Sequence, residues 1–519
     1  MSGKVRARNR YKCMVIALAA MLAGLTGCGR TGSLPVSQDA SGEPETVVDP
    51  ETEETGAGPV EMPETAAAPD AGTDAGKPDV VLDDACGTTY EIFVYSFADS
   101  DGNGIGDLNG IRERLDYLND GDPATREDLG VNALWLTPVF PSPTYHKYDA
   151  TDYCGIDPQF GTLADLDSLL AACHDRGMRL YLDIAFNHTS DRHFWFTEAA
   201  DAIRTAGGQS DTGEEILNEA SSRCPYVSYY NFSRESRQGY EPLPGTGWYY
   251  EARFWSGMPD LNLDNERVRQ ELADILGFWL ARGVDGFRLD AVTSYYTDDQ
   301  EKTREFLRWL EETVRERQSE LSGKEVYLVG EAWENQDAYA KLYESGVDSF
   351  FDFAFAGQEG TIAQVVRSGK TGQKFAQRMA EEEELYASYS DSYINAPFYT
   401  NHDMARSAGY YAKDGENRVK LAMALNLLQT GNAFVYYGEE LGMRGSGRDE
   451  NKRAPFPWGD HDNECAGPPD METFDAAPYG SLAAQRDDPD SVHGYIREAI
   501  HLRARHPLIA RGRTVPVPE

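Results

Sequence analysis

Eight short apolar runs rich in β-branched and aromatic residues recur along the 519-residue chain, at 91–97, 133–139, 180–186, 284–290, 326–331, 349–353, 394–400 and 433–437. Amphipathic stretches such as Leu163–Arg176, Val268–Arg282 and Lys302–Arg317 lie between many of them. Parallel strands need a crossover long enough to hold a helix. Strand–helix alternation repeated eight times therefore predicts an α/β fold, a (β/α)8 TIM barrel spanning 86–510. Ser491–Arg505 supplies the last helix. The interval 189–258, after the third strand, is too long for a barrel loop and is rich in Tyr, Gly, Ser and Asn, so it predicts a small inserted domain.

The chain ahead of the barrel has a different composition. Lys4, Arg6, Arg8, Arg10 and Lys12 precede an apolar run from Met14 to Leu25, as in an export signal too short to span a bilayer. Leu25-Thr26-Gly27-Cys28 resembles the bacterial lipobox, which makes Cys28 the lipidated residue and the protein a membrane-anchored lipoprotein of the cell surface. Residues 29–85 carry 14 acidic residues against Arg30 and Lys77, with no apolar periodicity, and predict a disordered acidic tether. A net charge of −39 argues against a nucleic-acid partner and suits a neutral substrate. Cys86, Cys154, Cys173, Cys224 and Cys465 show no metal-binding spacing, and their pairing stays open.

Three runs end in carboxylates. In Gly286-Phe-Arg288-Leu-Asp290, the period of two puts Arg288 and Asp290 on one side of the sheet, where the guanidinium keeps the carboxylate ionised. Val329-Gly-Glu331-Ala-Trp333 and Thr400-Asn-His402-Asp403 close two others. Carboxylates delivered to one barrel end suit glycosidic-bond cleavage. Asp183–His188 closes the third run, and Tyr145-His146-Lys-Tyr148-Asp149 follows the second. Asp99-Ser-Asp101-Gly-Asn103-Gly-Ile105-Gly-Asp107 offers side-chain oxygens, plus the Ile105 carbonyl, at alternate positions with glycines between, a pattern suited to Ca²⁺.

Taken in order, these motifs resemble the α-amylase family of glycoside hydrolases, family 13, over roughly 88–510. The resemblance implies a retaining mechanism with Asp290 as nucleophile, Glu331 as general acid/base and Asp403 as the carboxylate that stabilises the transition state. It further implies that Arg288 holds Asp290 ionised, and that His146, Tyr148, His188 and His402 contact the sugar before the cut. It assigns Asp99–Asp107 to calcium and places Asn187 and Asp260 at a second calcium position, weakened by Ser294 where relatives often have His. Met258-Pro-Asp260-Leu-Asn262 and Arg453-Ala-Pro-Phe-Pro-Trp458 are similar to an intermediate oligo-1,6-glucosidase/neopullulanase-like group that includes lipoprotein α-amylases. Ala291 goes with α-1,4 preference. The expectation is a monomeric α-1,4-acting α-amylase on starch and maltooligosaccharides. The runners-up are an exo-acting α-glucosidase and a neopullulanase- or oligo-1,6-glucosidase-like enzyme. A non-catalytic starch-binding lipoprotein is disfavoured by the intact Asp290, Glu331 and Asp403. The family's C-terminal β-domain is expected to be missing or truncated, with 511–519 as its start.

Overall fold

A computed structural model describes residues 77–517, apart from 207–211, 322–324, 370–371 and 412–414. The signal, the lipobox Cys28 and most of the tether lie outside the described residues. The strands in chain order are β1 (Thr88–Ile92), β2 (Ala133–Leu136), β3 (Arg179–Ile184), β4 (Phe232–Ser233), β5 (Tyr240–Pro242), β6 (Tyr249–Glu251), β7 (Gly286–Leu289), β8 (Tyr327–Gly330), β9 (Ser349–Phe350) and β10 (Ala433–Tyr436). Seven of them form one parallel sheet in the order β10-β1-β2-β3-β7-β8-β9. The run 394–400 forms no regular strand. Single parallel bridges, Phe351 to Ala396 and Phe398 to Phe434, join the two sheet edges through it and close the barrel. Pro397 has no N–H to give to a ladder, so pairing there is reduced to isolated contacts.

Alternation along the strands separates two cores. Ala133, Trp135, Tyr181, Tyr327, Val329, Phe351, Phe398 and Phe434 pack together inside the barrel. Their neighbours Leu134, Leu136, Leu180, Leu182, Phe287, Leu289, Leu328 and Phe350 join the core beneath the surrounding helices. Those helices begin at side-chain caps: Thr162 and Asp165 form a capping box on Leu163–Asp175, and Asn265 caps Glu266–Leu280.

The first strand was expected at 91–97, but β1 ends at Ile92 and Val94–Ser96 is a 3-10 turn. Phe93, Val94 and Phe97 are apolar because the turn is buried, with Phe97 packed edge-on to Trp458 at 5.2 Å. The end of the predicted tether is also structured. The Val80 N–H donates to the Ala504 carbonyl, Asp83 pairs with Arg179, and Asp84 pairs with Arg511. The interval 189–258 holds helices Phe194–Thr205 and Gly213–Arg223 and the antiparallel sheet β4-β6-β5, around Trp195, Phe196, Tyr230 and Tyr250. Bridges from His188 to Asp260 and from Tyr230 to Leu261 attach it to the barrel. All five cysteines from Cys86 to Cys465 are free thiols. Among the described residues no helix is long and apolar enough to cross a membrane.

Candidate active site

Arg288 is the centre of the site. It points into the barrel from β7, fully buried, and such a charge is stable only when paired. One terminal nitrogen, Nη1, lies 2.8 Å from Asp183 Oδ1 and 2.5 Å from Asp290 Oδ1, and Nη2 lies 2.9 Å from Glu331 Oε2. Asp183 and Arg288 are register partners on β3 and β7, so side chains of one inward layer meet directly. Trp135 Nε1 and the Tyr148 hydroxyl both donate to Asp183 Oδ2, at 3.2 and 2.9 Å.

Glu331 follows β8. Its Oε2 accepts the N–H of Ala291 at 3.2 Å, which requires Ala291 to turn sharply out of β7 with φ 41° and ψ 48°. Its Oε1 is buried without a hydrogen-bond partner among the described residues. Burial raises this carboxyl above its ordinary range, Arg288 opposes the rise, and Asp403 adds to it. A carboxyl raised by burial thus shares a guanidinium with Asp290.

Asp403 is held differently. Its Oδ1 accepts from Arg453 Nη2 at 2.8 Å and its Oδ2 lies 3.0 Å from His402 Nε2. Burial pushes the Asp403 carboxyl up, but His402 and Arg453 outweigh it and hold the group well below the usual carboxylate range. His402 Nδ1 faces Glu91 Oε1 on β1 at 2.6 Å.

The structure thus brings Asp290, Glu331, Asp403, Arg288, Tyr148 and His402 together. His146 belongs to the same rim: its Nδ1 accepts the Tyr148 N–H at 3.0 Å, and burial followed by Arg453 lowers it to about 3, so the ring is neutral. His188 is fully buried against Phe254, with ring centroids 5.0 Å apart, and its Nδ1 lies 2.8 Å from Asn187 Nδ2. Sequence reasoning missed Glu91 and the pairing of Arg453 with Asp403. The position of Glu91 in an apolar run was a signal, since only an inward partner stabilises a carboxylate there.

Asp99, Asp101 and Asp107 place ligand oxygens within 4.8 Å of one another. Asp99 and Asp107 are buried, and no basic side chain pairs with the three among the described residues. Backbone N–H groups of Asp101, Gly102 and Gly104 shape the loop around Asp99. Asn103 Oδ1 accepts the Ile105 N–H at 2.8 Å, which continues the turn towards Asp107. A clustered hard-oxygen donor set without its own cation fits Ca²⁺. Asn187 and Asp260 also meet, Nδ2 to Oδ1 at 3.1 Å, with Asp260 raised well above its ordinary value by burial and by Glu251. There Arg253 pairs with Glu251 at 2.7 Å and supplies positive charge of its own.

Residues 91–512 match the family described as "Alpha amylase, catalytic domain". The chain is 35% identical over 434 residues to "Alpha-amylase 3" of Dictyoglomus thermophilum, covering 82% of this chain and 78% of that protein. It is 28% identical over 515 residues to an oligo-1,6-glucosidase of Parageobacillus thermoglucosidasius, covering 82% and 84%. The solved structure of "Eubacterium rectale Amy13B" superimposes with a TM-score of 0.78 at 45% identity, over 85% of this chain and 83% of that one. With its barrel, its inward carboxyl groups and these relatives, the chain belongs to the α-amylase family of glycoside hydrolases, family 13.

Proposed function

We propose that this glycoside hydrolase is an α-amylase that cleaves internal α-1,4-glucosidic bonds of starch and maltooligosaccharides with retention of configuration. The observation that carries the mechanism is the sharing of Arg288 by two carboxyl groups, one of them raised by burial. Asp290 lies on Nη1, and Glu331, on Nη2, keeps Oε1 uncommitted. Groups bound to adjacent nitrogens of one guanidinium suit the short separation, about 5–5.5 Å, that retention requires.

In the first half-reaction Asp290 attacks the anomeric carbon of the sugar before the cut. Glu331 gives its proton to the departing glycosidic oxygen, so the C–O bond breaks as the glycosyl ester forms. In the second half Glu331, now a carboxylate, takes a proton from water, whose oxygen displaces Asp290. Asp403, ionised between Arg453 and His402, stabilises the cationic sugar ring in both transition states. Tyr148, His146, His188 and His402 orient that sugar. Beyond Glu331, Trp333 is 40% exposed and packs on Phe353 at 4.9 Å, which provides an aromatic face for the sugar after the cut.

Endo action and α-1,4 preference are supported by the name of the Dictyoglomus relative and by Ala291 after the nucleophile. Calcium at Asp99, Asp101, Asn103, Ile105 and Asp107 would brace the loop after β1. A basic, apolar N-terminus ending at Cys28 supports export and lipid anchoring at the cell surface. The enzyme acts as a monomer in this reading.

The test is product analysis on soluble starch, pullulan and isomaltose, beside Glu331→Gln. Mixed maltooligosaccharides appearing early from starch as α-anomers, with the other two substrates untouched, are expected. Glucose alone would indicate an α-glucosidase, panose from pullulan a neopullulanase, and β-anomers would refute retention. Starch binding without any product from the folded wild type would replace the enzyme with a binding lipoprotein.

A further inference from the structure

The first barrel strand supplies a carboxylate that the mechanism above does not use. Glu91 is 1% exposed and pairs in register with Trp135, inside the barrel. Its Oε1 lies 2.6 Å from His402 Nδ1 and accepts the His402 backbone N–H at 3.3 Å. Across the ring, Nε2 lies 3.0 Å from Asp403 Oδ2 and 2.6 Å from the Tyr148 hydroxyl oxygen. That hydroxyl gives its own hydrogen to Asp183 at 2.9 Å, so towards His402 it can only accept. Nε2 therefore carries a hydrogen. Glu91 Oε1 already accepts the His402 backbone N–H, so it acts as an acceptor towards Nδ1 as well, and Nδ1 is satisfied only if it carries a hydrogen; burial raises the Glu91 carboxyl and His402 opposes the rise.

We propose that Glu91 is a positioning residue that, opposite Asp403, keeps His402 as an imidazolium through neutral pH and thereby fixes Asp403 as an oriented carboxylate at the reacting sugar. The inference rests on the role given to Asp403 above and extends it by one partner. The remaining oxygen of Asp403 is taken by Arg453, whose Nε also holds the His402 carbonyl at 3.2 Å. The orientation of Asp403 is thus set by two cations, of which only the arginine is charged at every pH.

The charged and titratable groups around the imidazole come from every side of the barrel. Glu91 stands on β1, Asp183 on β3, Arg288 on β7 and Glu331 after β8. His146 and Tyr148 come from the loop after β2, and Asp403 and Arg453 from the closing loops. Burial alone would drive the ring neutral; Asp403 and Glu91 overcome it and raise the imidazole to about 10. The adjacent Arg288 is already committed to three carboxyl groups.

Glu91→Gln keeps the shape and removes the charge, whereas Glu91→Asp keeps the charge. Two readouts apply to the intact chain: the protonation of His402 by nitrogen NMR, and kcat on a maltooligosaccharide against pH. In the wild type both ring nitrogens are expected to stay protonated to about pH 9. In Glu91→Gln, His402 should titrate between about pH 6 and 8, with kcat falling up to about tenfold per pH unit through that interval and recovering to within about threefold at lower pH. Glu91→Asp should keep the wild-type profile shape.

A neutral His402 in the wild type at pH 7 would overturn the proposal, whether or not the variant folds. So would a Glu91→Gln profile lowered uniformly at all pH values, which is what a purely structural role predicts. Were the wild type inactive on every α-glucan, the reading of the active site would fail separately, and the NMR titration would still decide the role of Glu91.

Discussion

Replacing Asp352 with asparagine should make the protein more stable at pH 8 and leave it little changed at pH 5. Asp352, just past β9, and Glu382, in helix Gly372–Ala387, are both buried and lie close enough to affect one another, and neither belongs to the catalytic groups. Asp352 Oδ1 accepts from the Tyr339 hydroxyl at 2.9 Å and the Ala354 N–H at 3.2 Å. Glu382 accepts from Asn395 at 2.8 Å and Gln336 at 2.7 Å. Burial, then Asp352, raises Glu382 well above its ordinary value, and burial raises Asp352 to about 6. A carboxyl whose folded value is raised binds its proton more tightly in the folded state. Its contribution to stability is therefore fully present below the unfolded value of about 4.5 and declines as pH climbs towards the folded value.

The decline is about 1.4 kcal/mol per pH unit until the folded value is passed, so between pH 5 and 8 Asp352, raised to about 6, gives up on the order of 1 kcal/mol, and Glu382 shifts in the same direction. In Asp352→Asn, the amide oxygen keeps the Tyr339 and Ala354 bonds while the NH₂, which carries no charge, no longer opposes ionisation of Glu382. A gain of about 1 kcal/mol or more at pH 8 follows, or about 1 °C or more in Tm for a folded body of this size. Scanning calorimetry of both proteins at pH 5 and 8 measures it. Equal destabilisation of the variant at both pH values, or parallel pH slopes, would refute the reasoning.

Three further outcomes are expected. Arg288→Met leaves Asp183, Asp290 and Glu331 without their common cation; it should cost on the order of 10³-fold in kcat and about 3–5 kcal/mol of stability, and activity within threefold of wild type would contradict the site. Calcium at 100 times its Kd should add about 2.7 kcal/mol, seen as a Tm rise of about 3 °C that EDTA reverses and Asp99→Asn abolishes; metal analysis showing no bound calcium would remove that assignment. His501 is raised to about 9 against burial by Asp128 and Asp79, with Nδ1 2.6 Å from Asp79 Oδ2. Being a raised histidine, it contributes stability fully below about pH 6.5 and loses it as pH rises through 9. Asp79→Asn should accordingly lower Tm near pH 6 by about 1–2 °C and converge with wild type above about pH 10, and a pH-independent difference would show that the pair is not electrostatic.

What the sequence determined by itself was local. A period of two put Arg288 and Asp290 on the same side of one strand, and the order of strand-like and helical runs specified a barrel whose strands end at one rim. These signals are carried by residues close together in the chain. The same locality misplaced β1, because the apolar residues 93–97 satisfy a buried turn as well as a strand, and it took 394–400 for a full strand although Pro397 interrupts the pairing. Only the tertiary structure decided which charges meet. Glu91 and His402 are 311 positions apart, Arg453 and Asp403 are 50 apart, and Asp183 reaches Arg288 through strand register. The protonation of Glu331, Asp403 and His402 depends on burial and on these distant partners together. Spacing along the chain specifies which residues are available for such work, but the free energy of a buried charge depends on what surrounds it in three dimensions.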